Sequence, residues 1–239
     1  MSEAYAASVL RWWKDAGVDI LVEERPRNWL IETKPASVPA RRPAKPADAA
    51  PEPRALPATL AEFERFLAES GEIPHAAPGA PRLLPQGDPA SGLMVLGDMP
   101  GVGDFDEGRL FSGETGALFD RMMKAISRSR AQLYLVPLLP CRSPSGRFEE
   151  KALERAAELA RHHVSLVRPK ALLILGDAPS RALTGRSVLT ARGEWMDIAT
   201  AAGPVPALVS FSPAHVEINR SARRPAWEDL QRLAERLPR

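Results

Sequence analysis

Short apolar runs alternate with helical patterns along most of the chain. The apolar runs are LMVLG (93–97), LYLVPLL (133–139), ALLILG (171–176) and PALVSF (206–211). The stretches between and after them repeat apolar residues at helical spacing, as in FEEKALERAAELARHHVSLV and RPAWEDLQRLAERL. This alternation predicts a mostly parallel sheet of four strands with helices covering both faces, a three-layer α/β/α fold.

The predicted sheet gives a place to look for a site. In open sheets of this kind, ligands bind beyond the carboxyl ends of the strands. Three loops follow such ends, after Leu96, after Leu139 and after Phe211. We therefore expect functional side chains in these loops.

The chain before the predicted sheet divides into three parts. Residues 1–33 begin with apolar residues at helical spacing and predict an N-terminal helical segment. Residues 34–57 contain seven prolines among Ala, Arg and Lys, which predicts a basic extended linker. Thr59 and Glu62 have the spacing of a capping box, so a helix and the folded domain, 58–239, begin there.

The composition excludes some kinds of site but leaves the kind of partner open. Lys and Arg number 32 against 30 Asp and Glu, so the net charge of +2 neither indicates nor excludes a nucleic-acid partner. The one cysteine, Cys141, excludes an intrachain disulfide and any metal or iron–sulfur site made of cysteines alone. We expect a cytoplasmic protein, since neither a signal peptide nor a long apolar run is present.

The loop after Leu96 is the most unusual stretch of the sequence. GDMPGVGDFDEGRLFSG (97–113) holds five glycines and four acidic residues. It lacks the Gly-Lys-Ser/Thr ending of a Walker A loop, and GVGDFD fails the dinucleotide pattern at its third glycine. Glycines allow backbone to approach a ligand closely, so this loop predicts a binding site of another kind.

The segment GDMPGVGDFDEGRLFSGETGALFDRMM resembles the first motif of the uracil-DNA glycosylase superfamily. It is closest to the bacterial family-4 pattern Gly-Glu-Ala-Pro-Gly, a spacer, Gly-Arg-Pro-Phe-Val-Gly and Gly-x-Leu-Leu, and it aligns without a gap. LYLVPLLPCRSPSGRFEE, RPKALLILGDAPSRALTG and VSFSPAHVEINRSARRPAWEDLQRL are similar to later motifs of that family, in the same order. The resemblance covers roughly residues 60–239.

The resemblance implies base-excision repair, with hydrolysis of the N-glycosidic bond of a flipped uracil or other deaminated base in DNA. It implies that Asp98 orients water and stabilises the cationic sugar, and that Phe111 stacks on the base. The backbone of Gly97, Met99, Pro100 and Gly101 would line the pocket. Asp98 as a loop cap and Phe111 as a core residue remain the alternatives.

The resemblance also implies a DNA-binding surface. Ser112 and Gly113 precede a helix whose first amides suit a phosphate, although Ser112 as a simple N-cap is the alternative. Basic residues beside the predicted pocket are candidates for phosphate contacts, and Val216 to Arg220 resemble a groove-entering wedge. These candidates are Arg142, Arg220, Arg223 and Arg224. For the last three, a solvated basic turn is the alternative.

Several family positions are altered. The base-reading Asn of the family is Pro137, which has no polar side-chain atom, and the His of the His-Pro loop is Ser212. His215 is a candidate to replace that His, with a surface or DNA-facing His as the alternative. Family-4 members hold an iron–sulfur cluster on four cysteines, so with Cys141 alone we expect no cofactor. His162 and His163 are expected on the surface, without a metal.

Two functions follow from these observations. The first is an active, cluster-free DNA glycosylase that works as a monomer on single- or double-stranded DNA. The second is a catalytically degenerate member that keeps the fold and binds DNA or a repair partner. A nucleotide or nucleoside hydrolase is a third, less favoured interpretation.

Overall fold

The computed structural model of the protein describes residues 55–237. The predicted helical segment, 1–33, and nearly all of the predicted linker, 34–57, lie outside the described residues. The predicted start of the folded domain lies within them.

Six strands form one mixed sheet in the described part of the chain. They are β1 Gln86–Gly87, β2 Leu93–Gly97, β3 Tyr134–Pro137, β4 Ala171–Leu175, β5 Trp195–Thr200 and β6 Gly203–Ser210. Their order is β1-β3-β2-β4-β6-β5. The inner four strands run parallel, and β1 and β5 add antiparallel edges.

Helices flank the sheet. They are α1 Leu60–Glu69, α2 Val102–Glu107, α3 Gly113–Ala125, α4 Glu150–Val167, α5 Asp177–Thr184, α6 Val188–Ala191, α7 Pro213–Ile218 and α8 Arg223–Arg236. Among the residues described, none of these helices has the length and apolar character to cross a membrane.

Alternate residues of the central strands serve two separate cores. Met94 and Leu96 pack on one side of the sheet with α1 and α4, in a cluster that includes Phe63. Leu93 and Val95 pack on the other side in a cluster with α3 and α8 residues. Both faces of the sheet are therefore covered, which explains why the strands read as continuous apolar runs and confirms the α/β prediction.

The edge strand β5 is the main feature that the apolar pattern did not predict. It pairs with β6 in a hairpin, with Ile198 opposite Val205 and Asp197 opposite Pro206. β5 lies at the margin of the sheet with only Ile198 buried, and two prolines interrupt the start of β6. Proline is tolerated beside an edge strand, where a ladder hydrogen bond can be missing.

The start of the domain follows the predicted capping box. Thr59 Oγ1 accepts a hydrogen bond from the Glu62 amide at 3.3 Å and donates one to the Glu62 carboxylate at 2.8 Å. The Thr59 side chain thus caps the helix, and Glu62 bonds back to the Thr59 hydroxyl, so α1 begins where the sequence indicated.

The expectation of surface positions for the two histidines of α4 is wrong. His163 is 2% exposed, and its Nε2 lies 3.0 Å from Tyr134 Oη, which donates to Glu64 at 2.6 Å. His162 is half-buried, with Nε2 2.7 Å from the Pro57 carbonyl oxygen. Burial lowers the pKa of His163 to about 3, so it is neutral. Both rings pack on Phe63, which the helical pattern alone did not reveal.

Candidate active site

A pocket of about 340 Å³ lies beyond the carboxyl ends of the parallel strands. It is lined by Asp98, Met99, Gly101, Gly103, Asp104, Phe111, Ser112, Thr115, Arg142, Gly146, Ser212 and Ala214. All three loops that the sequence singled out contribute to this wall. A larger cavity of about 600 Å³ lies beside α1, but its lining is mostly Ala, Gly and Pro, with Glu69 and Arg82 as its charged side chains.

Asp98 directly follows β2 and is half-buried at the pocket wall. Its Oδ1 accepts a hydrogen bond from the Met99 amide at 2.8 Å, and no partner for its Oδ2 is found in residues 55–237. Burial raises the pKa of Asp98, and the nearby Asp177 raises it further, while the Met99 amide and Arg142 act in the opposite direction. One carboxylate oxygen is thus left to bind a water or a substrate atom.

Phe111 lines the same pocket and is held in an unusual backbone conformation. Its φ is 58°, which is uncommon for a residue other than glycine, and its side chain is 6% exposed. A Cβ on Gly97 would lie 2.8 Å from the Phe111 ring, and one on Gly116 would clash with the Phe111 carbonyl oxygen. The placement of Phe111 therefore requires two glycines, one beside its ring and one beside its backbone carbonyl.

Arg130 stabilises the backbone of Phe111. Its guanidinium donates to the carbonyl oxygens of Leu110 at 2.7 Å and Phe111 at 2.8 Å, while its Nε donates to Asp120 at 2.6 Å. The same guanidinium lies 4.9 Å from the centre of the Phe119 ring, which packs against Phe111. Charge-assisted bonds to two successive carbonyls offset the strain of the left-handed residue.

Asp104 closes the glycine-rich loop, and the sequence analysis missed it. It is 6% exposed, and its two oxygens accept hydrogen bonds from the Gly101 amide at 2.9 Å and the Ser112 amide at 2.8 Å. An acid three residues after a glycine at a helix start is a capping spacing that was available in the sequence.

Two amides at the start of α3, where a DNA phosphate is predicted to bind, already have acceptors within the protein. The Ser112 amide donates to Asp104, and the Gly113 amide donates to Glu107 at 3.0 Å. Glu107 is exposed and pairs with Arg109. A phosphate that bound the Gly113 amide would have to displace the Glu107 carboxylate.

The loop after β3 brings Arg142 to the pocket. Arg142 donates from Nη1 to the Pro100 carbonyl oxygen at 3.0 Å, which joins this loop to the glycine-rich loop. Gly146, with φ of 67°, turns the backbone beside the same guanidinium. Pro137 is buried at the end of β3 and does not belong to the pocket wall.

The loop after β6 brings Ser212 to the pocket but not the imidazole of His215. Ser212 caps α7 by accepting a hydrogen bond from the His215 amide at 3.3 Å. The His215 ring stacks on Phe211 with centres 4.9 Å apart, and its Nε2 lies 3.3 Å from Asn219. The pocket therefore has a hydroxyl at this point, and the imidazole packs elsewhere.

A buried ion pair holds the loop that carries Ser212. Asp229 of α8 has no exposed surface, accepts from Ser210 Oγ at 2.7 Å and pairs with Arg192 at 2.7 Å. The Arg192 guanidinium also lies 5.4 Å from the centre of the Phe211 ring. The two residues before Ser212 are thereby fixed to the C-terminal helix and to the turn before β5.

The end of a fourth strand, β4, also lies beside the pocket residues, and the sequence analysis did not predict this. A Cβ on Gly176, which follows β4, would lie 3.5 Å from Ser212 Cβ and 3.7 Å from Asp98 Oδ2. Asp177, next in the chain, is the acid that raises the pKa of Asp98. The sequence indicated that the two strand ends are alike, because Leu-Gly-Asp stands at the end of both β2 and β4.

The predicted wedge and its arginines extend from the pocket along the surface. Ile218, at the end of α7, is 84% exposed, and Arg220, Arg223 and Arg224 follow it on the surface. Arg224 pairs with Glu228 at 3.0 Å. The structure thus places an exposed apolar side chain and three guanidinium groups after the loop of Ser212.

Cys141 is an interior residue. It is 1% exposed, and burial raises the pKa of its thiol, with Arg82 acting in the opposite direction. Within residues 55–237, no group of three or more His, Cys, Asp or Glu side chains is arranged to hold a metal ion. The iron–sulfur cluster of family 4 needs four thiolates, which this chain does not have, so the residues present do not fit it.

Comparisons with known proteins agree with the fold. The model of the uracil DNA glycosylase superfamily matches residues 84–231, more than half of the chain. The type-4 uracil-DNA glycosylase of Sulfurisphaera tokodaii is 24% identical over 158 residues, 63% of this chain and 72% of that protein. That of Saccharolobus solfataricus is 24% identical over 64% of this chain and 74% of its own length. The match to the Pyrobaculum aerophilum enzyme, 24% identical, spans 41% of this chain and half of that protein.

Proposed function

This chain belongs to the uracil DNA glycosylase superfamily, and on that premise we propose that it hydrolyses the N-glycosidic bond of a flipped uracil or other deaminated base in DNA. The observation that carries the proposal is that Asp98 and Phe111 line the same pocket, at the carboxyl ends of the parallel strands. An aromatic surface and an acid in one pocket are what extraction and cleavage of a base require.

The proposed mechanism uses few groups. The extruded base stacks on the ring of Phe111, and the unpartnered oxygen of Asp98 positions a water beside the sugar carbon C1′. As the bond from C1′ to the base nitrogen breaks, the electron pair leaves with the base, and the Asp98 carboxylate stabilises the cationic sugar. The water oxygen then bonds to C1′, and its proton passes through Asp98 to the departing base. The Ser212 hydroxyl is available to donate to that base.

The surface beside the pocket supports DNA as the partner. The exposed Ile218 has the apolar character of a side chain that enters a groove and unstacks a base step. The guanidinium groups of Arg220, Arg223 and Arg224 then neutralise phosphates near the extruded nucleotide. Arg142, at the pocket rim, would contact the phosphate of the flipped nucleotide itself.

We propose that the enzyme acts without a cofactor, as a monomer in the cytoplasm. The chain has one cysteine, which supports both the absence of a cluster and a reducing location. No step in the mechanism above requires a metal, because charge on the sugar is stabilised by a carboxylate and charge on the base by a donor.

The direct test is release of a base from defined oligonucleotides. Duplex and single-stranded DNA containing one uracil, hypoxanthine or xanthine is incubated with excess protein, and abasic sites are cut with alkali. We expect abasic product from at least one of these bases and none from the undamaged control strand. Absence of product with every base at high protein excess would contradict the proposal.

A degenerate, DNA-binding member is the second candidate, and two observations favour it. Pro137 offers no polar atom to the base edge, and the neutral hydroxyl of Ser212 replaces the family imidazole. The combined variant P137N/S212H distinguishes the two functions. Activity that appears only in that variant, with salt-sensitive DNA binding by the natural chain, would support the degenerate function.

A further inference from the structure

A second, apolar groove lies between α3 and α8, apart from the pocket of Asp98. It has a volume of about 280 Å³, and Val216 of α7 also lines it. Leu118 and Met122 form one wall, and Ala226 and Leu230 contribute to the other. None of these residues belongs to the proposed catalytic machinery.

The groove exposes a tryptophan. Trp227 lines it from α8 and is 42% exposed, whereas its neighbour along the helix, Ala226, is buried. Large aromatic side chains left in water beside an apolar groove mark interaction surfaces, because their burial on binding is strongly favourable. Tryptophan and arginine are also the residues most enriched at the energetic centres of protein interfaces.

The rim of the groove is positively charged and unsatisfied. Arg121 and Arg223 line the groove, which has no acidic residue in its wall. Among residues 55–237, neither guanidinium has a hydrogen-bond or ion-pair partner, in contrast to Arg224, which is paired with Glu228. An occupant with negative charge would therefore gain two ion pairs without breaking any present one.

We propose that this groove binds a short acidic segment of a partner protein that carries an aromatic or large aliphatic anchor. The anchor side chain enters the groove against Trp227, and carboxylates beside it pair with Arg121 and Arg223. This arrangement matches the recurring recognition mode in which apolar anchors occupy a groove between helices.

Other occupants fit the groove less well. A DNA backbone can reach Arg223 at the rim, as proposed above, but its phosphates cannot occupy a wall of Leu, Met, Ala and Trp side chains without losing hydration. A second copy joined through a two-fold axis would bring the basic rim of each groove towards the same rim of its partner. A peptide with both apolar and acidic side chains satisfies the wall and the rim together.

The test is selection of peptides from a random displayed library on the full-length protein, followed by calorimetric titration of those selected. We expect enriched sequences with Asp or Glu next to Phe, Trp, Leu or Ile. We further expect W227A, and independently R121E/R223E, to weaken their binding at least tenfold. K151E, a charge reversal at an exposed position of α4, is the matched control and should bind like the natural chain.

The thermal midpoint of each variant shows whether it is folded, and the two variants act through different contacts. No enrichment over the starting library, or enriched peptides without acidic residues, would overturn the proposal. It would also be overturned if W227A lost affinity for an undamaged DNA duplex while peptide binding was unchanged. The proposal would likewise be overturned if W227A abolished a concentration-dependent dimer seen by light scattering.

Discussion

The loop of Asp98 and Phe111 and the loop of Ser212 form facing parts of one pocket, but they differ in what they retain. Both have a dense supporting structure: Asp104 and Arg130 fix the first, and the buried pair of Arg192 and Asp229 fixes the second. Only the first also presents the acid and the aromatic ring that the family resemblance implies. The second presents a hydroxyl where an imidazole is expected.

This difference shows that the supporting structure of a loop can persist when its chemical group is replaced. Asp229 has no contact with the pocket, yet it is fully buried and bonds to Ser210, two residues before Ser212. A buried charge of this kind is costly unless paired, so its presence maintains the position of the loop. We therefore expect the first loop to carry most of the catalysis and the second loop to have a weaker, supporting role.

Replacing Asp98, in the first loop, should lower the rate of base release more than any other substitution proposed here. D98N keeps the shape of the side chain but removes the charge that stabilises the sugar cation. We expect the single-turnover rate of base release to fall about 100- to 1,000-fold. The measurement is cleavage of an oligonucleotide containing the preferred base, under enzyme excess.

The matched control for that prediction is D106N. Asp106 lies in the same glycine-rich loop and is exposed, outside the pocket wall. The D106N variant should release the base at a rate within about twofold of the natural chain. A substitution of an exposed side chain outside the pocket has little effect. Equal losses in D98N and D106N would show that the loop tolerates no change and that Asp98 has no special role.

Replacing Arg130 tests the support of the first loop. R130M removes the bonds to the carbonyl oxygens of Leu110 and Phe111, and we expect the free energy of unfolding to fall by about 2 kcal/mol. Denaturant titration gives this value. R109M, which breaks only the exposed pair with Glu107, should lose less than about 1 kcal/mol. A loss no larger in R130M than in R109M would contradict the assigned role.

Replacing Ser212 should have a smaller effect on catalysis. One neutral hydrogen bond contributes about 0.5–1.5 kcal/mol, so S212A should lower the rate of base release less than about tenfold. The same assay as for D98N measures it. A loss as large as that of D98N would remove the difference between the two loops on which the account rests.

Replacing Asp177 should have the smallest effect, a shift in the pH dependence of the rate of base release. Burial and Asp177 raise the pKa of Asp98, so the rate should begin to fall, as pH decreases, at a higher pH than an ordinary carboxylate would give. D177N removes the neighbouring negative charge and should move this acid limb to lower pH. A pH–rate profile that is the same for both proteins would show that Asp98 is not the titrating group.

The sequence predicted the layers of the fold well, because buried parallel strands are continuous apolar runs whatever their environment. Residues 93–97 and 171–176 were recognisable in this way. β5 was missed because a mostly exposed edge strand, paired with a segment that contains two prolines, has a weak signal. His163 was missed because a polar residue on a helix reads as exposed unless its buried partners, Tyr134 and Glu64, are known.

The site was predictable where one continuous segment carries it. Asp98 and Phe111 lie thirteen residues apart in a single motif. The supporting contacts of Arg130 and Asp229 join positions far apart in the chain, and a single sequence gives no pairing for them. Whether a side chain such as His215 turns towards the pocket depends on its packing against Phe211, which spacing cannot show.

The most direct test of the central claim is a crystal structure of the D98N variant bound to an oligonucleotide containing the preferred base. The account predicts that the base is extruded from the DNA and stacked on the ring of Phe111, with its C1′ beside residue 98. A bound oligonucleotide whose base remains in the stack, or occupies another surface with the pocket empty of it, would contradict the account.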